Sequence, residues 1–152
     1  MPLISVAAAM TLTDWSESTF RRRFADGTLT RSLEQGGSGR VMVDWDELRP
    51  LLAVVWRDVD VPTLVDADGG VGAAQREVGL MLLEADHPKG AVYWLEQATK
   101  RQDAEAAHWL SRLHLLGTGV ERDDAKALHW LAQAAELGHP IASRQIRELA
   151  GG

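Results

Sequence analysis

Apolar residues divide the chain into two halves of different character. In the second half they recur every three or four positions, as in Ala74, Val78 and Leu82, which is the spacing of one buried helix face. In the first half, short apolar runs alternate with polar and glycine-rich stretches. The pattern therefore predicts an all-helical second half and a mixed first half.

Two short helices are predicted at the start of the chain. The apolar run over residues 4–12 predicts the first helix. Phe20 and Phe24 lie four residues apart and mark the buried side of a second helix over residues 17–26. Gly27 supplies the left-handed residue that ends this helix.

Polar residues place the starts of the helices. Ser16, or Asp14 just before it, would cap the second helix, and Asp44 would cap a third helix over residues 45–56. Pro50 interrupts that third helix, which therefore either kinks or starts afresh there.

Between these helices, residues 29–34 and 40–43 predict two short strands. The run Gly36-Gly37-Ser38-Gly39 between them predicts a flexible hairpin tip. Residues 58–70 are acidic, contain a proline and end in two glycines, which indicates a linker, although its apolar residues allow it to pack.

The second half repeats internally. Residues 91–98 and 127–134 are identical at five of eight positions, 36 residues apart. Each unit reads as a helix pair that cannot bury its apolar face alone, so stacked pairs with a closing helix at residues 140–150 would form a short superhelix. The predicted domains are residues 1–57 and 71–152, joined by the linker 58–70.

The second half also contains the pattern Gly117-x-Gly119-Val120, followed by Asp123, Lys126-Ala127 and Trp130. With this pattern the second half, about residues 73–150, resembles the Sel-one-like repeat, a relative of the tetratricopeptide repeat. The resemblance implies a protein-interaction scaffold rather than a catalyst. The partner-binding residues expected are His108 and Arg112 on the exposed face of the helix at 104–116, with Arg76 from the preceding unit.

The first half contains four motifs in order: Ser16-Glu17-Ser18-Thr19-Phe20-Arg21-Arg22, Gly27-x-Leu29, the glycine tip followed by Arg40, and Val43-Asp44-x-Asp46-Glu47-Leu48. With these motifs, residues 3–52 resemble an excisionase-like or MerR-like winged helix-turn-helix. The family has an aromatic residue where this chain has Arg23. The expected fold is therefore mainly α: a winged helix-turn-helix with a small β-hairpin wing, then an α-solenoid of two helix pairs and a closing helix.

The charge distribution bears on this interpretation. The formal net charge of −6 argues against nucleic-acid binding. However, residues 18–43 carry five arginines against Asp26 and Glu34, a net charge of +3. A basic island in an acidic chain predicts a localised DNA contact, although a solvated helix face gives the same pattern.

The faces of the predicted second helix suggest which of its side chains would contact DNA bases and which would contact phosphates. With Phe20 and Phe24 inward, Arg22 and Ser18 point outward toward the bases. The remaining candidates are assigned to phosphates or to the wing: Thr19, Arg21, Arg23, Arg31 and Arg40. Such modules usually bind as dimers, so the apolar helix 45–56 is either a dimer seam or a packing joint to the repeats.

Other chemistry is not predicted. The chain has no cysteine, and its five histidines show no metal-ligand spacing. No nucleophile with a base can be assembled, so we expect no enzyme activity, metal or cofactor. Residues 1–13 are too short to span a bilayer and lack the positive charge of a signal peptide, which predicts a cytoplasmic protein.

The sequence thus predicts a bacterial or phage-type transcription regulator. Its first half would bind double-stranded DNA, and its repeats would bind a protein partner or mediate self-association, including a homodimer. Two alternatives remain open: an interaction adaptor without DNA function, and an excisionase-type recombination accessory factor.

Overall fold

A computed structural model describes residues 2–35 and 39–151. The chain divides into two compact units, Met1–Gly69 and Gly70–Gly152. The hairpin-tip residues 36–38, for which the sequence predicts a flexible turn, lie outside the described residues.

The first unit mixes short helices with a three-stranded antiparallel sheet of order β1-β3-β2. Ile4 pairs with Val43 on one side of β3, and Ser32 pairs with Met42 on the other. The elements in chain order are β1 (Leu3–Ser5), α1 (Val6–Leu12), α2 (Glu17–Ala25), β2 (Arg31–Leu33), β3 (Val41–Asp44), α3 (Trp45–Leu48) and α4 (Val61–Asp68).

Several predicted features of this unit are confirmed. The two predicted strands are β2 and β3, and Ser16 caps α2 by accepting the backbone N–H of Thr19. Asp44 caps α3 by accepting the N–H of Asp46. Gly27, at φ 80°, has the left-handed conformation expected after α2.

The predicted helix over residues 4–12 is wrong in its first residues. Leu3–Ser5 forms β1 instead, which pairs with β3 at the sheet edge. The helix begins only at Val6, because the Ser5 hydroxyl accepts the N–H of Ala8 and so caps α1.

The predicted third helix over residues 45–56 is also shorter than expected. α3 ends at Leu48 and continues only as a 3-10 turn over Arg49–Leu51. Pro50 has no N–H to extend the α-helical hydrogen bonds, and Leu52 is already extended, with ψ 146°. Because Trp45 and Leu48 are fully buried in the chain, they are not available to the predicted dimer seam.

The predicted linker over residues 58–70 is folded. It contains a 3-10 turn over Asp58–Asp60 followed by α4, in which Leu64 and Ala67 are buried. α4 packs beside β1. The first unit therefore extends to Gly69 rather than ending at residue 57.

The described part of the second unit, residues 70–151, contains five helices, each packed against the next in the chain. They are α5 (Gly72–Glu84), α6 (Pro88–Lys100), α7 (Ala104–Leu116), α8 (Asp124–Glu136) and α9 (Pro140–Gly151). α5 with α6, and α7 with α8, form the closest pairs, so the predicted helix pairs and closing helix are confirmed.

Small and aromatic residues fill the core of these pairs. One buried cluster includes Leu95, Ala98 and Leu110, and a second includes Ala134 and Ala142. Trp94 is 1% exposed, and Trp130 packs against both clusters. Both tryptophans therefore contribute to the packing of the helix pairs.

The two helix pairs differ in the loop between their helices. Three residues, 85–87, join α5 to α6, whereas seven residues, 117–123, join α7 to α8. Gly117 and Gly119 take left-handed conformations in the longer loop, and Asp123 caps α8 by accepting the N–H of Lys126.

Candidate functional site

The outward face of α2 carries the basic residues predicted to contact DNA. Ser18, Arg21 and Arg22 are exposed at positions i, i+3 and i+4, so they share one side of the helix. Phe20 is buried on the opposite side and Phe24 is half-buried. The predicted division into an apolar back and a polar front is therefore confirmed.

The hydroxyl groups at the start of α2 already interact with one another. The Ser16 Oγ lies 2.9 Å from the Ser18 Oγ and 3.2 Å from the Thr19 Oγ1. Ser18 is exposed and Thr19 is half-buried. These contacts hold the first turn in place, and Ser18 remains open to a ligand.

Arg23 occupies a different environment from its two neighbours. Its guanidinium carbon lies 4.1 Å from the centre of the Trp15 ring, a cation–π contact. The Trp15 ring in turn packs edge-on against Phe20 at 5.2 Å. Arg23 therefore packs over the aromatic pair Trp15 and Phe20 instead of pointing freely into solvent.

Arg40, predicted to contact DNA from the hairpin, is held by two carboxylates. Its Nη2 donates to Glu34 at 2.7 Å, and its Nη1 donates to Asp68 at 3.1 Å. Hydrogen bonding to Glu34, together with the charges of both carboxylates, raises the pKa of Arg40 against the opposing effect of burial. Arg31 is exposed on β2, at the sheet edge.

Asp68 is a structural residue that sequence reasoning missed. Its carboxylate accepts the backbone N–H of Ser5 at 2.7 Å and the Ser5 hydroxyl at 2.6 Å, besides binding Arg40. The side chain is only 7% exposed. The residues around Asp68 in the sequence do not indicate this role, because its partners lie far away in the chain.

In the second unit, two of the three predicted partner-binding residues have partners within the chain. Arg76 on α5 forms an ion pair with Asp103 at 2.8 Å. The His108 Nε2 lies 3.1 Å from the Gln145 Oε1 on α9. Both residues therefore connect helices of the unit, whereas Arg112 is exposed and lies over the Trp109 ring at 4.8 Å.

His108 also belongs to a stacked pair of imidazoles. Its ring lies 4.4 Å from that of His139, with 20° between their planes. The His139 Nδ1 accepts the N–H of Ala142, and its Nε2 lies 2.8 Å from Glu105. These contacts fix the start of α9 against α7.

Two further properties of the described residues bear on other functions. In residues 2–35 and 39–151, no group of three or more His, Cys, Asp or Glu side chains is arranged to hold a metal ion. Within the same ranges, no helix has the length and apolar character needed to cross a bilayer.

Comparison with known proteins supports the repeat assignment. Residues 72–103 and 104–139 each match the Sel1 repeat, the Sel-one-like repeat predicted from the sequence. The crystal structure of a Sel1 repeat protein from Oxalobacter formigenes is 30% identical, with a TM-score of 0.52. The match covers 57% of this chain and 26% of that one.

A second solved structure shares the fold. The protective antigen c5321 of uropathogenic Escherichia coli, which displays an SLR fold, is 23% identical with a TM-score of 0.54. That match covers 59% of this chain and 20% of the antigen. This chain therefore spans about a quarter or less of either structure's length, and no curated protein matches it.

Proposed function

We propose that this protein, which carries two Sel1 repeats over residues 72–139, is an interaction adaptor whose helical repeats bind a protein partner. The observation that carries the proposal is the stacked set α5–α9, in which each helix packs on its neighbour and the helix pairs repeat. Solenoids of this kind present extended surfaces to other proteins. Sel1 repeats suggest such a role in this chain.

The test is binding by the full-length chain. Sedimentation first shows whether the partner is a second copy, and affinity capture followed by reconstitution with the purified partner then measures the dissociation constant. Arg112→Glu, on the exposed side of α7, is expected to weaken binding, whereas the matched change Arg31→Glu in the first unit is not. Equal effects of the two changes, or no saturable complex, would overturn the proposal.

A second function, DNA binding by the first unit, is favoured by one specific observation. Arg21 and Arg22 are exposed side by side on α2, with the charge of Asp26 near Arg22. We infer a winged helix-turn-helix, in which α2 lies in the major groove and the hairpin β2–β3 forms the wing. The whole chain would then be a transcription regulator or a recombination accessory factor.

Selection of genomic DNA fragments by the full-length protein at about 150 mM salt tests this second function, since weak electrostatic binding is suppressed there. A palindromic promoter motif indicates a dimeric regulator, and tandem sites near an attachment region indicate a recombination factor. Recovery of no motif by the folded protein eliminates both and leaves the adaptor.

A further inference from the structure

A cavity of about 500 Å³ lies at the long loop between α7 and α8. Its lining residues come from three helices and the loop. Glu96 lies on α6, His114 on α7, Val120 and Glu121 in the loop, and Lys126 at the start of α8. The volume is within the range of small binding sites and exceeds that of a single side chain.

His114 has an unmet hydrogen bond at this cavity. The residue is only 5% exposed, and its buried Nδ1 has no hydrogen-bond partner among the described residues. Buried polar atoms without partners are uncommon and costly in proteins. The Nδ1 atom is itself closed off from the cavity, so a ligand there meets other atoms of the imidazole.

The charged side chains around the cavity are only partly balanced. Arg122 is paired with Asp124 at 3.2 Å, and the Asp123 carboxylate accepts the N–H of Lys126 as the cap of α8. The Glu96 and Glu121 carboxylates and the Lys126 ammonium have no partner in the part of the chain that the structure describes. Together with Asp123, whose hydrogen bond to a neutral N–H leaves its charge in place, these groups carry a net charge of −2, which favours a positively charged ligand.

We propose that this cavity binds the guanidinium group of an arginine side chain from the protein partner, which deepens the adaptor function and rests on it. A guanidinium has one positive charge and five N–H donors in one plane. It can therefore donate to two carboxylates together, which matches the acceptors of Glu96 and Glu121 beside His114. The ammonium of lysine is more strongly hydrated and lacks this planar arrangement.

The probe for the experiment is Nα-acetyl-arginine amide, which is titrated into the full-length protein and followed by NMR. Saturable shifts are expected at the backbone amides of Glu96 and Glu121 and at the ring nitrogens of His114. Nα-acetyl-citrulline amide has nearly the same shape without the charge, and it is expected to shift none of them. Equal binding of citrulline amide or Nα-acetyl-lysine amide would overturn the assignment to arginine.

Matched variants separate local contacts from overall charge. The double variant E96Q and E121Q is expected to weaken binding of the arginine probe by about tenfold or more, because two charge-assisted hydrogen bonds are lost. The double variant E84Q and E136Q removes the same charge from exposed sites on α5 and α8, and it should bind like the parent. Equal weakening by both double variants would show only general electrostatic attraction and would overturn the proposal.

Binding of the natural partner distinguishes this site from the adaptor function as a whole. If E96Q and E121Q abolish probe binding and weaken the partner complex, both proposals are supported. If the partner binds the parent chain tightly and the double variant equally well, the adaptor function stands and the arginine site is wrong.

Discussion

The Asp68 carboxylate accepts both the backbone N–H and the hydroxyl of Ser5, which lies 63 residues earlier in the chain. Ser5 is also the residue that caps α1. One carboxylate thus joins the last helix of the first unit to the start of its first helix. The same group binds Arg40 beside the hairpin, so a single residue connects three parts of the unit.

Replacement of Asp68 by alanine is expected to destabilise the first unit by about 2–4 kcal/mol, because Ser5 and Arg40 lose a buried charged partner. Urea denaturation followed through NMR signals of residues 3–12 measures the change. Asp66→Ala removes an exposed carboxylate from the same helix and should change stability little. Similar losses in the two variants would mean that the Asp68 contacts contribute nothing specific.

Gly119→Ala is expected to damage the second unit more than Gly138→Ala. Both glycines have positive φ, which costs an alanine about 1–2 kcal/mol. A Cβ at Gly119 would also lie 2.6 Å from the carbonyl oxygen of Pro88, whereas one at Gly138 meets nothing within 4 Å. Thermal denaturation of the two variants compares the costs, and equal melting temperatures would contradict this packing argument.

His139→Ala is expected to loosen the start of α9. The substitution removes the imidazole that accepts the Ala142 N–H and contacts Glu105, and loss of a helix cap costs about 1 kcal/mol. Hydrogen exchange at Ala142 and Ser143 should become faster. His139→Asn retains a side-chain acceptor at this position and should restore much of the protection; an alanine variant with parental exchange would show that the cap is unimportant.

If α2 binds DNA, the double variant R21A and R22A should reduce the slope of log K against log salt concentration by about two, provided each arginine neutralises one phosphate. Fluorescence anisotropy over a salt series measures the slope. The control R144A and R147A removes two exposed arginines from α9 and should leave it unchanged. A loss of slope shared by both variants would assign the effect to net charge.

The turn after α2 should respond to acid. The hydroxyl and backbone N–H of Thr28 donate to the Asp26 carboxylate and lower its pKa below the ordinary 3.8. The contribution of this turn to stability is therefore present above the unfolded-state pKa and is lost as pH falls through the folded-state value. Carbon-13 NMR titration of Asp26 measures the pKa; in Thr28→Ala it should move back toward 3.8, and an unchanged value would exclude the hydroxyl as the main cause.

The repeat half is predictable from sequence because its information is local and duplicated. A helix face recurs within each helix, and the match between residues 91–98 and 127–134 shows which segments are equivalent. Caps at Ser16, Asp44 and Asp123 likewise depend on residues only a few positions apart.

The errors arise where distant contacts decide the structure. Residues 3–5 form a strand because β3 is available to pair with them. The predicted linker is folded, and its Asp68 accepts hydrogen bonds from Ser5. The candidate DNA site shows the same limit: the outward position of Arg22 follows from helix geometry, whereas the pairing of Arg40 with Asp68 does not. The cavity at His114 combines residues from three helices and a loop, so no single sequence motif predicts it.

The longer loop between α7 and α8 has a consequence for how such a chain can change over generations. Because this loop is longer than the loop between α5 and α6, it supplies cavity-lining residues that the first helix pair lacks. Unequal recombination between similar helix pairs would therefore not give equivalent products. Copying the second pair would duplicate the long loop and its lining residues without Glu96, whereas copying the first pair would duplicate Glu96 without the long loop.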